Sequence, residues 1–287
     1  GDVYKRQECT LCEHSIVMNK KKGSENMDKK ELQNPALYTN RELSWLLFNK
    51  RVLSEARDKQ LLLFERLKFL SITASNLDEF FMVRIGSLVD MIHAEYTKKD
   101  IAGMSAKEQL DALMEETHKF AALQYSTYNR MLLPQLRANG LNFVEHHEQL
   151  TERQAQYVDE YFEENVYPVL TPMAVDSSRP FPLIRNKTLN IGALVAKKGE
   201  KDTEIEFATV QVPSVLPRVV RIPAAKEGDT EVAVLLLEEI IERNISKLFL
   251  NYNVLCAHPF RITRNADLAI DEDEAEDLLL EIEKQIK

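Results

Sequence analysis

The stretch Asn40-Arg-Glu-Leu-Ser-Trp-Leu-Leu-Phe-Asn-Lys-Arg-Val-Leu53 decides the first half of the fold. Thr39 or Asn40 can cap a helix there, because a short polar side chain accepts hydrogen bonds from the first free backbone N–H groups. Leu43, Leu46, Leu47 and Leu53 then recur at helical spacing as one apolar stripe. Trp45, Phe48 and Val52 form a second, which predicts a helix buried on two sides. Leu63, Leu67, Leu70 and Ala74 mark a second helix. Ser75-Asn-Leu-Asp78 has the form of a capping signal, with Asp78 and Glu79 placed for the positive end of a helix dipole. A third helix is therefore expected from that point through Phe81, Leu88 and Ile92. Ser105-x-x-Glu108 opens a long fourth helix, and Asn139-Gly140 stops it. Short connections favour antiparallel packing, so residues 35–140 read as an all-α antiparallel helical bundle.

After Gly140 the periodicity changes. Thr151-x-x-Gln154 caps a helix that ends near Pro168. Strand signals follow at 189–196, 205–212, 218–222, 231–235 and 260–264, with a helix at about 236–249 and a last one from Asp271. Residues 141–287 thus read as an α+β domain with a mainly antiparallel sheet covered by helices. Residues 1–34 are polar and aperiodic, with the cluster Lys20-Lys-Lys-Gly-Ser24, and read as a disordered leader. Met18 or Met27 is a candidate start within it.

The bulk properties narrow the function classes. The chain has 287 residues, 44% of them apolar and 29% charged, as a soluble globular protein does. No apolar run approaches the roughly 18 residues of a membrane helix, and the start lacks the pattern of a secretory signal. A cytoplasmic protein is expected, with peripheral association at a membrane surface compatible with it. Cys9, Cys12 and Cys256 do not make a disulfide framework. Of the net charge of −9, residues 265–287 hold −7 (nine acids, two lysines), leaving −2 for the rest. With no basic tail, a nucleic-acid partner is not expected.

Eight glycines include no phosphate-cradling loop and no dinucleotide fingerprint. Cys9-Thr-Leu-Cys12 with His14 is half a zinc site with no second pair. Glu145-His-His-Glu148 holds metal-ligand types but reads as a solvated turn, and His93, His118 and His258 read as surface or satisfied core residues. Arg41, Arg51, Arg66, Lys68 and Arg84 suit a polyphosphate, or equally ion pairs with Glu42, Glu55, Glu65, Asp78 and Glu79. The acidic run 271–283 reads as a solvated helix face. Asn76 has two compatible readings. It can cap the third helix, and its amide offers the donor and acceptor that the edge of adenine needs.

Asn40-Arg-Glu-Leu-Ser-Trp-Leu-x-Phe-Asn49, Glu65-Arg-Leu-Lys-Phe-Leu70 and Ser75-Asn-Leu-Asp-Glu-Phe80 resemble the N-terminal helical domain of the polyphosphate kinases. Phe162-Glu-Glu-Asn-Val-Tyr-Pro-Val-Leu-Thr-Pro172, Arg179-Pro-Phe-Pro182, Phe260-Arg-Ile-Thr-Arg-Asn-Ala-Asp-Leu268 and Asp271-Glu-Asp-Glu-Ala-Glu-Asp277 resemble the head domain that follows it. The resemblance implies reversible transfer of the ATP γ-phosphate to inorganic polyphosphate through a phosphohistidine. It also implies a magnesium requirement and a homo-oligomer associating partly through the head domain. It assigns Asn76 to ATP. The family's nucleophilic histidine and its phosphate and magnesium contacts lie in two phospholipase-D-like domains further on. None of the six histidines here matches that nucleophile's surroundings. The expectation is an N-terminal fragment that does not turn over alone. The rival expectation is a non-catalytic oligomerisation or regulatory module.

Overall fold

A computed structural model describes residues 31–175, 184–199 and 205–265. The leader with Cys9, Cys12 and His14, the Arg179–Pro182 motif and the acidic run with its helix lie outside these residues.

Helices α1 (Arg41–Arg57), α2 (Leu63–Phe80), α3 (Gly86–His93), α4 (Ala106–Thr127) and α5 (Leu133–Ala138) build the first unit. Five-residue π turns, Phe81–Ile85 and Tyr128–Leu132, fuse α2 to α3 and α4 to α5. The result is three rods. Side-chain pairs give their directions. Along α1, Ala56 and Asn49 meet Arg66 and Asn76 in reverse order, so the first two rods are antiparallel. Asn40, Lys50 and Arg57 meet Gln109, Glu116 and Thr127 in the same order, so the first and third rods run parallel, each packed against the second.

Local signals hold at the ends. Asn40 caps α1, accepting from the N–H groups of Glu42 and Leu43. Ser105 and Glu108 form a reciprocal capping box on α4. Gly140, with φ of 78°, ends the third rod in a conformation that costs glycine little.

Two expectations are corrected by the fold. First, α1 buries a single seam, Glu42, Leu46, Asn49, Leu53 and Ala56, while Leu47 and Phe48 remain about half exposed. The two partner rods converge on one face, and polar Glu42 and Asn49 take positions that the apolar pattern could not assign. Second, no helix starts at Ser75–Asp78, because α2 runs through it to Phe80. Asn76 and Asp78 have tertiary partners instead, so their side chains do not compete for the local backbone.

The second unit follows Gly140. Its strands are β1 (Leu141–Phe143), β2 (Pro172–Val175), β3 (Leu189–Lys197), β4 (Ile205–Gln211), β5 (Val219–Ile222), β6 (Val232–Leu236) and β7 (Tyr252–Arg261). They divide between a sheet ordered β1-β6-β5 and one ordered β2-β4-β3-β7. Every pairing is antiparallel except β1 with β6. Helix α6 (Glu152–Tyr161), capped by Thr151 and Gln154, and α7 (Leu237–Arg243) cover them. Ile191, Ala193 and Val195 alternate onto the core side of β3, where Val158, Phe162, Val166, Leu235 and Ile241 join them in one apolar cluster. Of the strand expected at 260–264 only Phe260 and Arg261 are extended in a sheet, as the end of the longer β7, whose edge position accommodates Pro259.

Candidate functional site

The rods meet the sheet at α2. Positions 76 and 78 are about 200° apart around a helix, at roughly 100° per residue, so they point to nearly opposite sides. Asn76 faces α1. Asp78 faces β7, where Arg261 grips its carboxylate with two bonds of 2.8 and 3.0 Å. Further along the same rod Asn265 donates to Asp90 at 2.9 Å and lies over Gly86, where a Cβ would come within 2.6 Å of its side chain. An apolar cavity of about 340 Å³, lined among others by Leu70, Leu77, Tyr125, Tyr128 and Arg261, lies on this side of α2.

On the Asn76 side is a cleft of about 260 Å³, lined by Trp45, Phe48, Asn76, Glu79, Phe80, Val83 and Arg84. Trp45 stacks on Phe80 with ring centres 4.4 Å apart and planes 8° from parallel. Phe80 is buried, so this pair fixes the cleft floor, an arrangement worth about 0.5–1.5 kcal/mol beyond the area it buries. Val83 and Arg84 come from the first π turn, a wide turn of the kind found at functional sites. Arg84 lies 3.6 Å from buried Glu42, which Arg41 also engages. The Arg51 guanidinium sits 5.7 Å over the half-exposed ring of Phe48. Arg51 and Arg84 therefore place positive charge around an aromatic cleft.

The other cations divide as the ion-pair reading expects, with one correction. Lys68 pairs with Glu65. Arg66 is no candidate for polyphosphate: it is only 2% exposed, donating to Gln135 of α5 and to the Ala56 carbonyl at the end of α1. The carbonyl end of that helix compensates its charge in part.

The Glu145–Glu148 segment is exposed except at His147, which is anchored. His147 donates its backbone N–H to buried Glu239 at 3.0 Å and brings Nδ1 to 3.2 Å. Ligand atoms of His146, Glu148 and Glu239 lie within 4.8 Å of one another, although His146 and Glu148 are exposed. Burial and the Glu239 charge raise the pKa of Glu242 nearby. His93, His118 and His258 are surface residues.

Sequence reasoning missed Asn49. It is fully buried and bonded to both Asn76 and the Thr73 carbonyl. Its signal was a polar residue seven positions after Glu42, on the α1 seam.

Residues 38–144 match the family model described as the polyphosphate kinase N-terminal domain, and 153–287 the one for the polyphosphate kinase middle domain. The chain belongs to the polyphosphate kinase family. It is 48% identical over 250 residues to the polyphosphate kinase of Lactiplantibacillus plantarum, covering 87% of this chain and 34% of that protein. It is 48% identical over 258 residues to that of Halalkalibacterium halodurans, covering 90% of this chain and 36% of the relative. The crystal structure of the Porphyromonas gingivalis polyphosphate kinase superposes with a TM-score of 0.70 at 29% identity, over 85% of this chain and 37% of that one. The chain thus spans about a third of the length of the relatives it matches. Among the described residues, no helix is long and apolar enough to cross a membrane.

Proposed function

We propose that this chain is the nucleotide-facing and subunit-associating part of an enzyme that transfers the ATP γ-phosphate reversibly to inorganic polyphosphate through a phosphohistidine. One observation carries the reading. Asn76 opens onto a cleft whose walls offer a partly exposed aromatic face, at Phe48, and whose rim carries Arg51 and Arg84. An aromatic face takes a base by stacking, an amide takes its edge or its sugar, and guanidinium groups favour the phosphate side. Association of copies through the α+β unit, in the cytoplasm, belongs to the same proposal.

Magnesium does not fit these residues. It takes near-octahedral oxygen ligands, whereas the cleft lining includes one carboxylate, Glu79, beside a guanidinium, and the His146, Glu148 and Glu239 grouping brings nitrogen.

Two outcomes test the reading. In the full-length enzyme Asn76→Ala raises the KM for ATP roughly 5- to 150-fold, the range of about 1–3 kcal/mol for losing a buried polar contact. Because Asn76 lies inside α2 and caps nothing, alanine suits the helix itself, but it leaves the buried Oδ1 of Asn49 without its donor, so melting temperature falls while the fold is kept. An unchanged ATP dependence refutes the assignment. The 287 residues alone, incubated with ATP, magnesium and polyphosphate, give neither an acid-labile phosphoprotein nor polymer growth. Phosphate appearing on this chain at a rate matching turnover would overturn that expectation.

A further inference from the structure

Asn49 is an anomaly in the helical core. It has no solvent exposure and sits on the seam of α1 between Leu46 and Leu53, where an amide is costly unless its hydrogen bonds are made. Here they are made in a fixed order. The Nδ2 group of Asn49 donates to the Thr73 carbonyl at 3.1 Å, and its Oδ1 accepts from Nδ2 of Asn76 at 3.0 Å. A backbone carbonyl can only accept. The Asn49 atom facing Thr73 must therefore be nitrogen, and the one facing Asn76 oxygen. That oxygen in turn requires a donor, so Asn76 must present its Nδ2 to α1. The Thr73 carbonyl thus sets the orientation of both amides in series. Thr73 is itself held: its hydroxyl donates to the Leu70 carbonyl at 2.7 Å and accepts from Gln124 of α4 at 2.9 Å. One N–H and the Oδ1 of Asn76 are left for the cleft, and no hydrogen bond among the described residues takes that Oδ1.

We infer that Asn49 is a positioning residue for nucleotide binding: it locks the Asn76 amide in one of its two flipped states before the nucleotide arrives. This rests on the reading of Asn76 as the nucleotide contact. An unlocked amide rotates, and a ligand must then select the productive state and restrain it. Pre-orientation removes that cost from the binding step. The arrangement also explains why an amide occupies a core position that an apolar residue would fill at lower risk.

The test is a cycle of Asn49→Ala, Asn76→Ala and the double variant in the full-length enzyme, with Asn49→Asp alongside. KM for ATP, kcat and melting temperature are measured for each. Asn49→Asp keeps the oxygen that Asn76 donates to but buries a carboxylate and loses the bond to Thr73. It should melt lower and yet retain a KM near wild type. Asn49→Ala should raise the KM roughly three- to tenfold, the worth of one hydrogen bond, with kcat at saturating ATP nearly unchanged. In the Asn76→Ala background the same substitution should add nothing. If Asn49→Ala does not fold, Asn49→Ser, which leaves a smaller void, takes its place in the cycle. An equal KM rise in both backgrounds would overturn the inference. So would a KM that follows melting temperature across the Asp and Ala variants, because that marks a structural role alone. Asn76→Ala with an unchanged KM would overturn the underlying reading, and it is seen in a variant that leaves Asn49 intact.

Discussion

The contact of Asp78 with Arg261 joins the helical unit to the sheet, and its removal has a calculable effect. The guanidinium holds both carboxylate oxygens, at 2.8 and 3.0 Å, in the planar fork geometry that makes arginine pairs stronger than lysine pairs. The Asp78 side chain is 17% exposed but that of Arg261 is 47% exposed. Solvent therefore screens one partner, and the coupling falls between the negligible value of a surface pair and the several kcal/mol of a buried one. About 1–2 kcal/mol is expected for the pair. For a chain of this size that corresponds to a fall in melting temperature of roughly 2–8 °C. The assay is a thermal-unfolding cycle of Asp78→Asn, Arg261→Gln and the double variant, followed by circular dichroism at low and high salt. Each single variant should melt lower, the double variant should melt little below the worse single, and the coupling should shrink with salt. Additive losses, or a coupling below about 0.3 kcal/mol, would refute the idea that this pair docks the two units.

Two further outcomes follow from the same structure. Gly140 has φ of 78° and a Cβ added there would meet nothing within 4 Å, so Gly140→Ala should cost about 1–2 kcal/mol of stability through backbone strain alone, read by chemical denaturation; a neutral result would mean the turn relaxes. Hydrogen bonds from Lys50 and Lys119 hold the Glu116 carboxyl down at about 2, from an ordinary 4.5, so its ionised form favours the folded state above pH 4.5 and that stabilisation is lost as pH falls towards 2. The melting temperatures of wild type and Glu116→Gln should therefore differ most at neutral pH and converge in acid, and a gap that stays constant down to about pH 3 would contradict this.

What was legible in the sequence, and what was not, divides along physical lines. Helix ends were readable because a cap is a local event. Asn40, Ser105 with Glu108, Thr151 with Gln154, and Gly140 each act within a few residues of where they stand. The apolar period placed Leu46 and Leu53 correctly but failed for the polar residues beside them. Glu42, Asn49 and Arg66 are buried, and what permits their burial is partners on other rods or at another helix end. The Ser75–Asp78 segment shows the same limit from the other side. Its residue types suit a cap, and only the reach of Asn49 and Arg261 across the fold frees those side chains to stay within a continuing helix. β7 was half-read for a related reason: as an edge strand it is partly exposed on both faces, so no clean alternation marks Tyr252–Pro259. The residues that resisted local reading are thus the ones with distant partners. In this chain those partners converge on α2, whose two sides carry the proposed nucleotide contact and the joint to the sheet. A substitution that loosens the joint without touching the cleft should on this logic also weaken ATP use, because Asn76 and Asp78 share a single turn of helix and neither can shift without the other.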